Sequence, residues 1–287
     1  MKILIDGKKI SNQIKEEIKK EVQDLKISVC LAVIIVGEDS ASQVYVKNKI
    51  KACNEIGFKN LEYKLPEKTT EQELLNLVNK LNNDDTVDAI LVQLPLPKHI
   101  SENVVIDNID VNKDADCFNN FNVGKLYNQK RYQANLDVVP CTPAGVIELL
   151  DRYSIQVSGK NVLVIGRSNI VGKPLSIMLL NRDATVTICH SKTANLKQLT
   201  READILIAAV GIPKFVKEDM VKPEAIVIDV GINRDENNKL CGDVDFESVK
   251  DKVSAITPVP GGVGPMTIAM LMKNALKLAK NKIGKTA

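Results

Sequence analysis

Ile10, Ile14, Ile18, Val22 and Leu25 recur at helical spacing, so the chain opens with an amphipathic helix. Residues 30–36 then form an unbroken apolar run, which predicts a strand covered on both faces in the parallel-sheet manner. Gly37 ends it, and Ser40 is placed to cap a helix over residues 41–56. Leu61, Tyr63 and Leu65 alternate as in a strand. Thr70 and Glu73 have the spacing of a capping box opening a helix through Leu81. Residues 89–94 read as another buried strand, stopped by Pro95 and Pro97. Strands and helices alternate, so this half predicts an open parallel α/β layer.

Residues 98–140 lose periodicity and are rich in Asn and Asp, which predicts loop and linker. Thr142-Pro143 reads as an N-cap with proline at the first helical position, opening a helix to Tyr153 that joins two domains. Four strands follow at residues 162–165, 184–189, 204–210 and 225–229, the first three separated by helical stretches near 173–181 and 195–202. This is a second α/β unit of Rossmann type. Residues 254–256 add a short strand, and a last helix follows Pro265, with Ile268, Leu271, Ala275 and Leu278 on one face.

The length of 287 residues fits two domains. With no Trp, five Tyr and five Phe, the core rests on aliphatic residues, and a stacking platform for single-stranded nucleic acid is disfavoured. The net charge of +3 is mild, and lysines alternate with acids, as in Lys15-Glu16-Glu17, so solvated helix faces explain them better than a nucleic-acid stripe. The six cysteines are scattered, without a CxxC pair, and read as reduced thiols of a cytoplasmic protein. His99 and His190 are the only histidines, so no metal site is expected. Ile3-Leu4-Ile5 meets Asp6 too soon for a signal peptide, and no apolar run approaches a membrane span.

Residues 162–174 run from strand through a tight turn into a helix. Gly166 gives the turn backbone freedom, Gly172 lets helix and strand approach, and free amides at the helix start suit a pyrophosphate. Ser168 stands where the middle glycine of GxGxxG would be, so the turn alone reads equally as a structural one. The next strand ends at His190-Ser191-Lys192 without the acid that holds an NAD ribose. Arg167, Ser191 and Lys192 suit a 2′-phosphate instead, favouring NADP, although a basic surface turn would look the same.

Tyr45 and Lys49 share a helix face. A lysine can do acid/base work, but a snorkelling lysine beside a packed tyrosine is the commoner case. Gln93 lies at the carboxyl end of an apolar strand, where ligands gather in open sheets, though a bond to the following turn would also satisfy it. Asp114 and Asp116 read either as ligand-binding acids or as solvated turn acids. The segment 258–265 is dense in glycine and proline, either a structured linker or a loop whose backbone approaches a ligand closely.

Taken in order, Tyr45-Val46-Lys47-Asn48-Lys49, Val92-Gln93-Leu94-Pro95-Leu96-Pro97, Pro140-Cys141-Thr142-Pro143, Gly166-Arg167-Ser168 to Gly172-Lys173-Pro174, His190-Ser191-Lys192-Thr193, Val230-Gly231-Ile232-Asn233 and Pro260-Gly261-Gly262-Val263-Gly264-Pro265-Met266-Thr267 closely resemble the methylenetetrahydrofolate dehydrogenase/cyclohydrolase family. The resemblance implies NADP-dependent oxidation of 5,10-methylenetetrahydrofolate, followed by hydrolysis of the methenyl cation to 10-formyltetrahydrofolate. It implies Lys49 as the central catalytic group, Tyr45 against the folate, Gln93 tuning the lysine and Asp116 holding the pterin amino edge. Pro260, Gly261 and Gly262 would line the substrate, and Gly166, Arg167, Ser168, Gly172, His190, Ser191 and Ile232 the cofactor. A cation beside Lys49 disfavours a second positive charge, and a neutral amine can assist water attack.

The implied architecture is a folate-binding catalytic domain of residues 1–140 plus 265–287, a Rossmann-type NADP-binding domain of residues 141–264, an active-site cleft between them, and a homodimer. One block departs from the family: Asp114-Ala115-Asp116-Cys117 has a cysteine where the family has glycine. If that position needs φ > 0, Cys117 is strained or the loop shifts, which bears on the placement of Asp116. Two other readings remain at this point: an NADP dehydrogenase of shikimate-type layout, and a folate- or nucleotide-binding protein without catalysis. The first leaves Tyr45, Gln93 and residues 260–267 unexplained, and the second is distinguished by ligand binding without turnover.

Overall fold

The computed structural model describes residues 3–129 and 138–286. They divide into two compact units, one of residues 13–125, 138–139 and 268–286, the other of residues 3–12, 126–129 and 140–267. The chain opens with β1 (Ile3–Leu4) and α1 (Gly7–Leu25), and the helix passes from the second of these units into the first.

The first unit is built on β2 (Cys30–Val36), α2 (Ser40–Ile56), β3 (Lys59–Leu65), α3 (Glu71–Asn82) and β4 (Ala89–Val92). Its three strands are parallel in the order β3-β2-β4. β2 is central and every residue of it is buried, which is why it reads as continuous rather than alternating hydrophobicity. A fully buried Leu or Ile here contributes roughly 1.5–3 kcal/mol. Asp39, not Ser40, caps α2, its carboxylate accepting the Ser42 N–H at 2.8 Å. The Thr70/Glu73 capping box of α3 is present. β4 ends earlier than the sequence pattern implies, at the turn into Pro95, yet the Gln93 N–H still donates to Ile34 O at 2.8 Å.

Residues 98–140 are not simply loop. They hold α4 (Glu102–Asp107) and α5 (Asn120–Asn128), and residues 130–137 of that stretch lie outside the described residues. α5 forms despite poor helix formers because side chains meet its first amides: Asp107 accepts from Asn120 N–H and Asn119 from Phe121 N–H.

The second unit adds α6 (Cys141–Arg152), β5 (Asn161–Ile165), α7 (Gly172–Leu180), β6 (Thr185–Cys189), α8 (Leu196–Glu202), β7 (Ile205–Ala208), β8 (Ile226–Asp229), β9 (Asn233–Arg234), β10 (Leu240–Cys241), α9 (Phe246–Val249), β11 (Ala255–Ile256) and the start of α10 (Val263–Thr286). Six strands run parallel in the order β1-β11-β8-β7-β5-β6, while β9 and β10 form a separate antiparallel hairpin. From β5 the chain steps outward to β6, then returns past β5 to β7. The carboxyl ends of β5 and β7 therefore flank a reversal of winding, where ligands of open α/β sheets bind.

Thr142 does not cap α6. The helix starts at Cys141 after Pro140, and the Thr142 hydroxyl instead meets that of Thr267 at 2.9 Å. α10 likewise begins before Pro265, which sits in its first turn, where a missing N–H costs nothing.

Candidate functional site

α2 buries Ser42, Val46, Lys49, Cys53 and Ile56, which lie on one stripe at helical spacing. Lys49 thus puts an amine in a position built for an apolar side chain, with 7% of its surface exposed. A buried polar group needs a partner, and its Nζ donates to Gln93 Oε1 at 3.0 Å. Gln93 is itself oriented by its amide, which donates to Leu94 O at 2.6 Å. The structure thereby joins Lys49 to Gln93, as the helix on the sheet carries one to the strand end bearing the other. Tyr45 is one turn before Lys49 and half-buried, and burial raises the pKa of its phenol.

The two acids of the 114–117 loop separate cleanly. Asp114 is buried and accepts bonds from Asn119 N–H at 2.9 Å and Asn122 Nδ2 at 3.0 Å, while burial pushes its carboxyl upward. It shapes the loop. Asp116 is half-buried and lies beyond it. Cys117 does adopt positive φ, at 58°, and is fully buried. Its thiol donates to Val138 O at 3.2 Å, and Asn274 of α10 donates to both Ala115 O and Val139 O, at 2.9 and 2.8 Å. These bonds hold a loop conformation that a non-glycine residue resists at a cost of roughly 1–2 kcal/mol.

In the six-stranded unit, Gly166 ends β5 at φ 123°, and its N–H donates to Cys189 O at 2.9 Å. A Cβ on Gly166 would stand 2.1 Å from Ala209 O at the end of β7, and one on Gly172 2.2 Å from Gly166 O. Both glycines are required by close backbone contact at the winding reversal. The amides of Val171 and Gly172 are not free as the sequence implied. Both donate to Ser168 Oγ, at 3.1 and 3.3 Å. The turn after β6 fastens itself, with His190 N–H donating to Thr193 Oγ1 at 2.8 Å and Lys192 N–H to His190 Nδ1 at 3.1 Å. Arg167, Ser168, Ser191 and Lys192 are left exposed at the adjoining ends of β5 and β6.

The loop after β11 is held by the start of α1: Lys8 N–H donates to Gly261 O at 2.8 Å, and a Cβ on Gly7 would stand 1.8 Å from Gly262 O. Pro260 is exposed, Gly261 half-buried and Gly262 buried. Ile232 is 43% exposed beside this loop. Sequence reasoning missed the two buried carboxylates that organise these loops, Asp229 and Asp243, although each is neighboured by a glycine it requires. Among the described residues, no group of three or more His, Cys, Asp or Glu is arranged to hold a metal ion, and no helix is long and apolar enough to cross a membrane.

A parallel sheet with a glycine turn at its winding reversal, and no acid at the next strand end, belongs to the dinucleotide-binding class of α/β enzymes. The comparisons narrow this. Residues 5–116 match the catalytic domain of tetrahydrofolate dehydrogenase/cyclohydrolase, and residues 140–283 match its NAD(P)-binding domain. The chain belongs to the tetrahydrofolate dehydrogenase/cyclohydrolase family.

The bifunctional protein FolD of Campylobacter hominis is 57% identical over 284 residues, covering 98% of each chain. The crystal structure of the bifunctional FolD methylenetetrahydrofolate dehydrogenase/cyclohydrolase of Campylobacter jejuni superposes with a TM-score of 0.94 at 54% identity, covering 97% of this chain and 99% of that one. The Trypanosoma brucei enzyme, complexed with NADP cofactor and inhibitor, gives 0.93 at 39% identity over 98% of each chain. Shikimate dehydrogenase of Aquifex aeolicus shares the fold alone, at a TM-score of 0.54 and 12% identity over 89% of this chain and 97% of that one.

Proposed function

We propose that this protein oxidises 5,10-methylenetetrahydrofolate with NADP+ and then hydrolyses the resulting methenyl cation to 10-formyltetrahydrofolate. The observation that carries the reading is the buried Lys49–Gln93 pair in a chain that matches both domains of the family. In this reading residues 1–140 and 265–287 carry most of the folate chemistry, and residues 141–264 hold the cofactor and supply the substrate-lining backbone at 260–262.

Lys49 is the catalytic residue. Its amine takes one proton of a water whose oxygen bonds to the methenyl carbon. The carbon–N5 bond then breaks: N5 takes the proton that Lys49 had accepted, the hydroxyl on the carbon releases its own proton to solvent as the carbonyl forms, and N10 keeps the formyl group. Gln93 holds the amine in place, Tyr45 lies against the folate ring, and Asp116 accepts from the pterin N–H edge. The backbone at Pro260, Gly261 and Gly262 lines the substrate.

NADP would bind over the turn at Gly166, at the winding reversal of the sheet. It would be held by Gly166, Arg167, Ser168, Gly172, His190, Ser191 and Ile232, with Arg167 and Ser191 at the 2′-phosphate. When bound, it supplies the hydride acceptor, while the protein supplies orientation.

We also place the protein in the cytoplasm, on the grounds that none of its six cysteines is in a disulfide and five of them are buried. A homodimer is favoured by the edge strand β6, which exposes Thr185, Thr187 and Ile188 next to the exposed Leu180 of α7.

Purified protein should reduce NADP+ when given 5,10-methylenetetrahydrofolate, and should consume methenyltetrahydrofolate faster than buffer alone. A folded protein that binds NADPH yet turns over neither folate would exclude this function.

A further inference from the structure

We propose that Asp229 and Asp243 form a paired carboxylate clasp that positions the cofactor-facing loops of the six-stranded unit, and that Asp243 thereby sets NADP affinity without touching the cofactor. This rests on the reading above that Ile232 and the strand ends around it face NADP.

Asp243 is fully buried. One carboxylate oxygen accepts the N–H groups of Val210 and Gly211, at 2.6 and 3.1 Å, and the other accepts Ile212 N–H at 3.0 Å and Asn233 Nδ2 at 2.8 Å. Asp229, 3% exposed, accepts Gly231 N–H at 3.0 Å and Asp243 N–H at 2.9 Å on one oxygen and Val244 N–H at 2.9 Å on the other. Its own N–H donates to Thr257 Oγ1 at 2.7 Å. The clasp therefore ties together the segments that leave β7, β8 and β11, three parallel strands that are neighbours in the sheet.

The two halves interlock through glycine. A Cβ on Gly242 would stand 1.8 Å from Asp229 Oδ2, and one on Gly231 2.2 Å from Asp243 Oδ1. Each carboxylate occupies the place of a side chain that the other half lacks.

Packing alone does not call for this arrangement. Apolar residues of similar volume often stabilise a buried site as well as charged ones do or better. What the carboxylates add is shape, because each fixes several amides of irregular backbone at once. What that shape presents is Ile232, held between the anchored Gly231 and Asn233. A Cβ on Gly264 would come within 3.2 Å of its Cδ1. An exposed isoleucine on a braced loop at a strand end is a preformed apolar contact for a flat ring.

The test uses Asp243→Asn in the full-length protein. Whichever oxygen becomes an NH2 group, two donors lose their acceptor, while the side-chain volume is kept. The KM for NADP+ should rise about tenfold or more, with a smaller change in kcat, and cofactor-free hydrolysis of methenyltetrahydrofolate should stay within about twofold of wild type. Asn233→Ala removes a single donor and should move the same KM about threefold, which keeps the idea testable if Asp243→Asn fails to fold. Combined with Ile232→Ala, Asp243→Asn should add little, since both act on one contact.

An unmoved KM for NADP+ in folded Asn233→Ala or Asp243→Asn, in a wild type that binds NADPH, would overturn the clasp alone. A wild type that does not bind NADPH would overturn the reading of these loops and the clasp with it.

Discussion

In the three-stranded unit one amine, Lys49, sits on the buried stripe of α2 and donates to Gln93, whereas in the six-stranded unit two carboxylates are taken up by the amides of the loops around them. The first arrangement leaves a polar group able to exchange a proton. The second uses polar groups up, converting them into backbone shape. Substitution in the first should delete chemistry and spare the fold. Substitution in the second should distort a surface and spare the chemistry elsewhere.

The sharpest break comes at Lys49. Lys49→Ala should lower the cyclohydrolase rate about 10²- to 10⁴-fold, the usual worth of a positioned acid/base group, while NADPH affinity measured by fluorescence stays within about twofold.

Next is the pH dependence of stability. Asp229 is pushed up to about 7 from 3.8, mainly by burial, with the Asp243 charge adding to it. Between those values the folded protein keeps a proton that the unfolded chain has released. The contribution of Asp229 is thus greatest below its unfolded value and is lost as pH rises through about 7, by at most about 4 kcal/mol. Its bonds from Val244, Asp243 and Gly231 oppose the shift and reduce the effect. The burial of Asp114 acts with the same sign. Urea midpoints should fall more steeply with pH in wild type than in Asp229→Asn, and parallel slopes would remove Asp229 from this account.

Gly166→Ala should cost about 1–3 kcal/mol of stability and weaken NADPH binding, because its Cβ meets the Ala209 carbonyl. Unchanged NADPH affinity would mean the turn is structural only. The smallest effect is Thr70→Ala, which removes the α3 capping box and should cost about 1 kcal/mol by denaturant unfolding, with both activities intact.

Elements with a strong period were plain in the sequence. β2 announces itself because both its faces are covered, and α3 because its cap is spelled in two residues. α4 and α5 were not: α4 is six residues long with no side-chain cap at Ser101, and α5 starts on Asp107, which reaches it only in the folded chain. β1, β9 and β10 are each two residues long, too short to show a period. At the site, Lys49 carried an unused signal: it interrupts the apolar stripe of Val46, Cys53 and Ile56. Its bond to Gln93 was not legible, because it depends on how α2 packs on the sheet. The strain at Cys117 was foreseeable from the glycine it replaces, but the thiol bond that accompanies it was not. Asp229 ends a predicted strand and Asp243 lies in no predicted element, so neither stood out, and the would-be Cβ positions at Gly231 and Gly242 show how closely the backbone is wrapped around them.

The division between the two units is tested most directly by the cofactor-free rate of methenyltetrahydrofolate hydrolysis, taken on Lys49→Ala and Gly166→Ala side by side. Gly166→Ala should keep the wild-type rate, while Lys49→Ala should fall to within a few-fold of the uncatalysed one. A Lys49→Ala protein that hydrolyses the methenyl compound as wild type does, or a Gly166→Ala protein that loses the rate as fully, would contradict it.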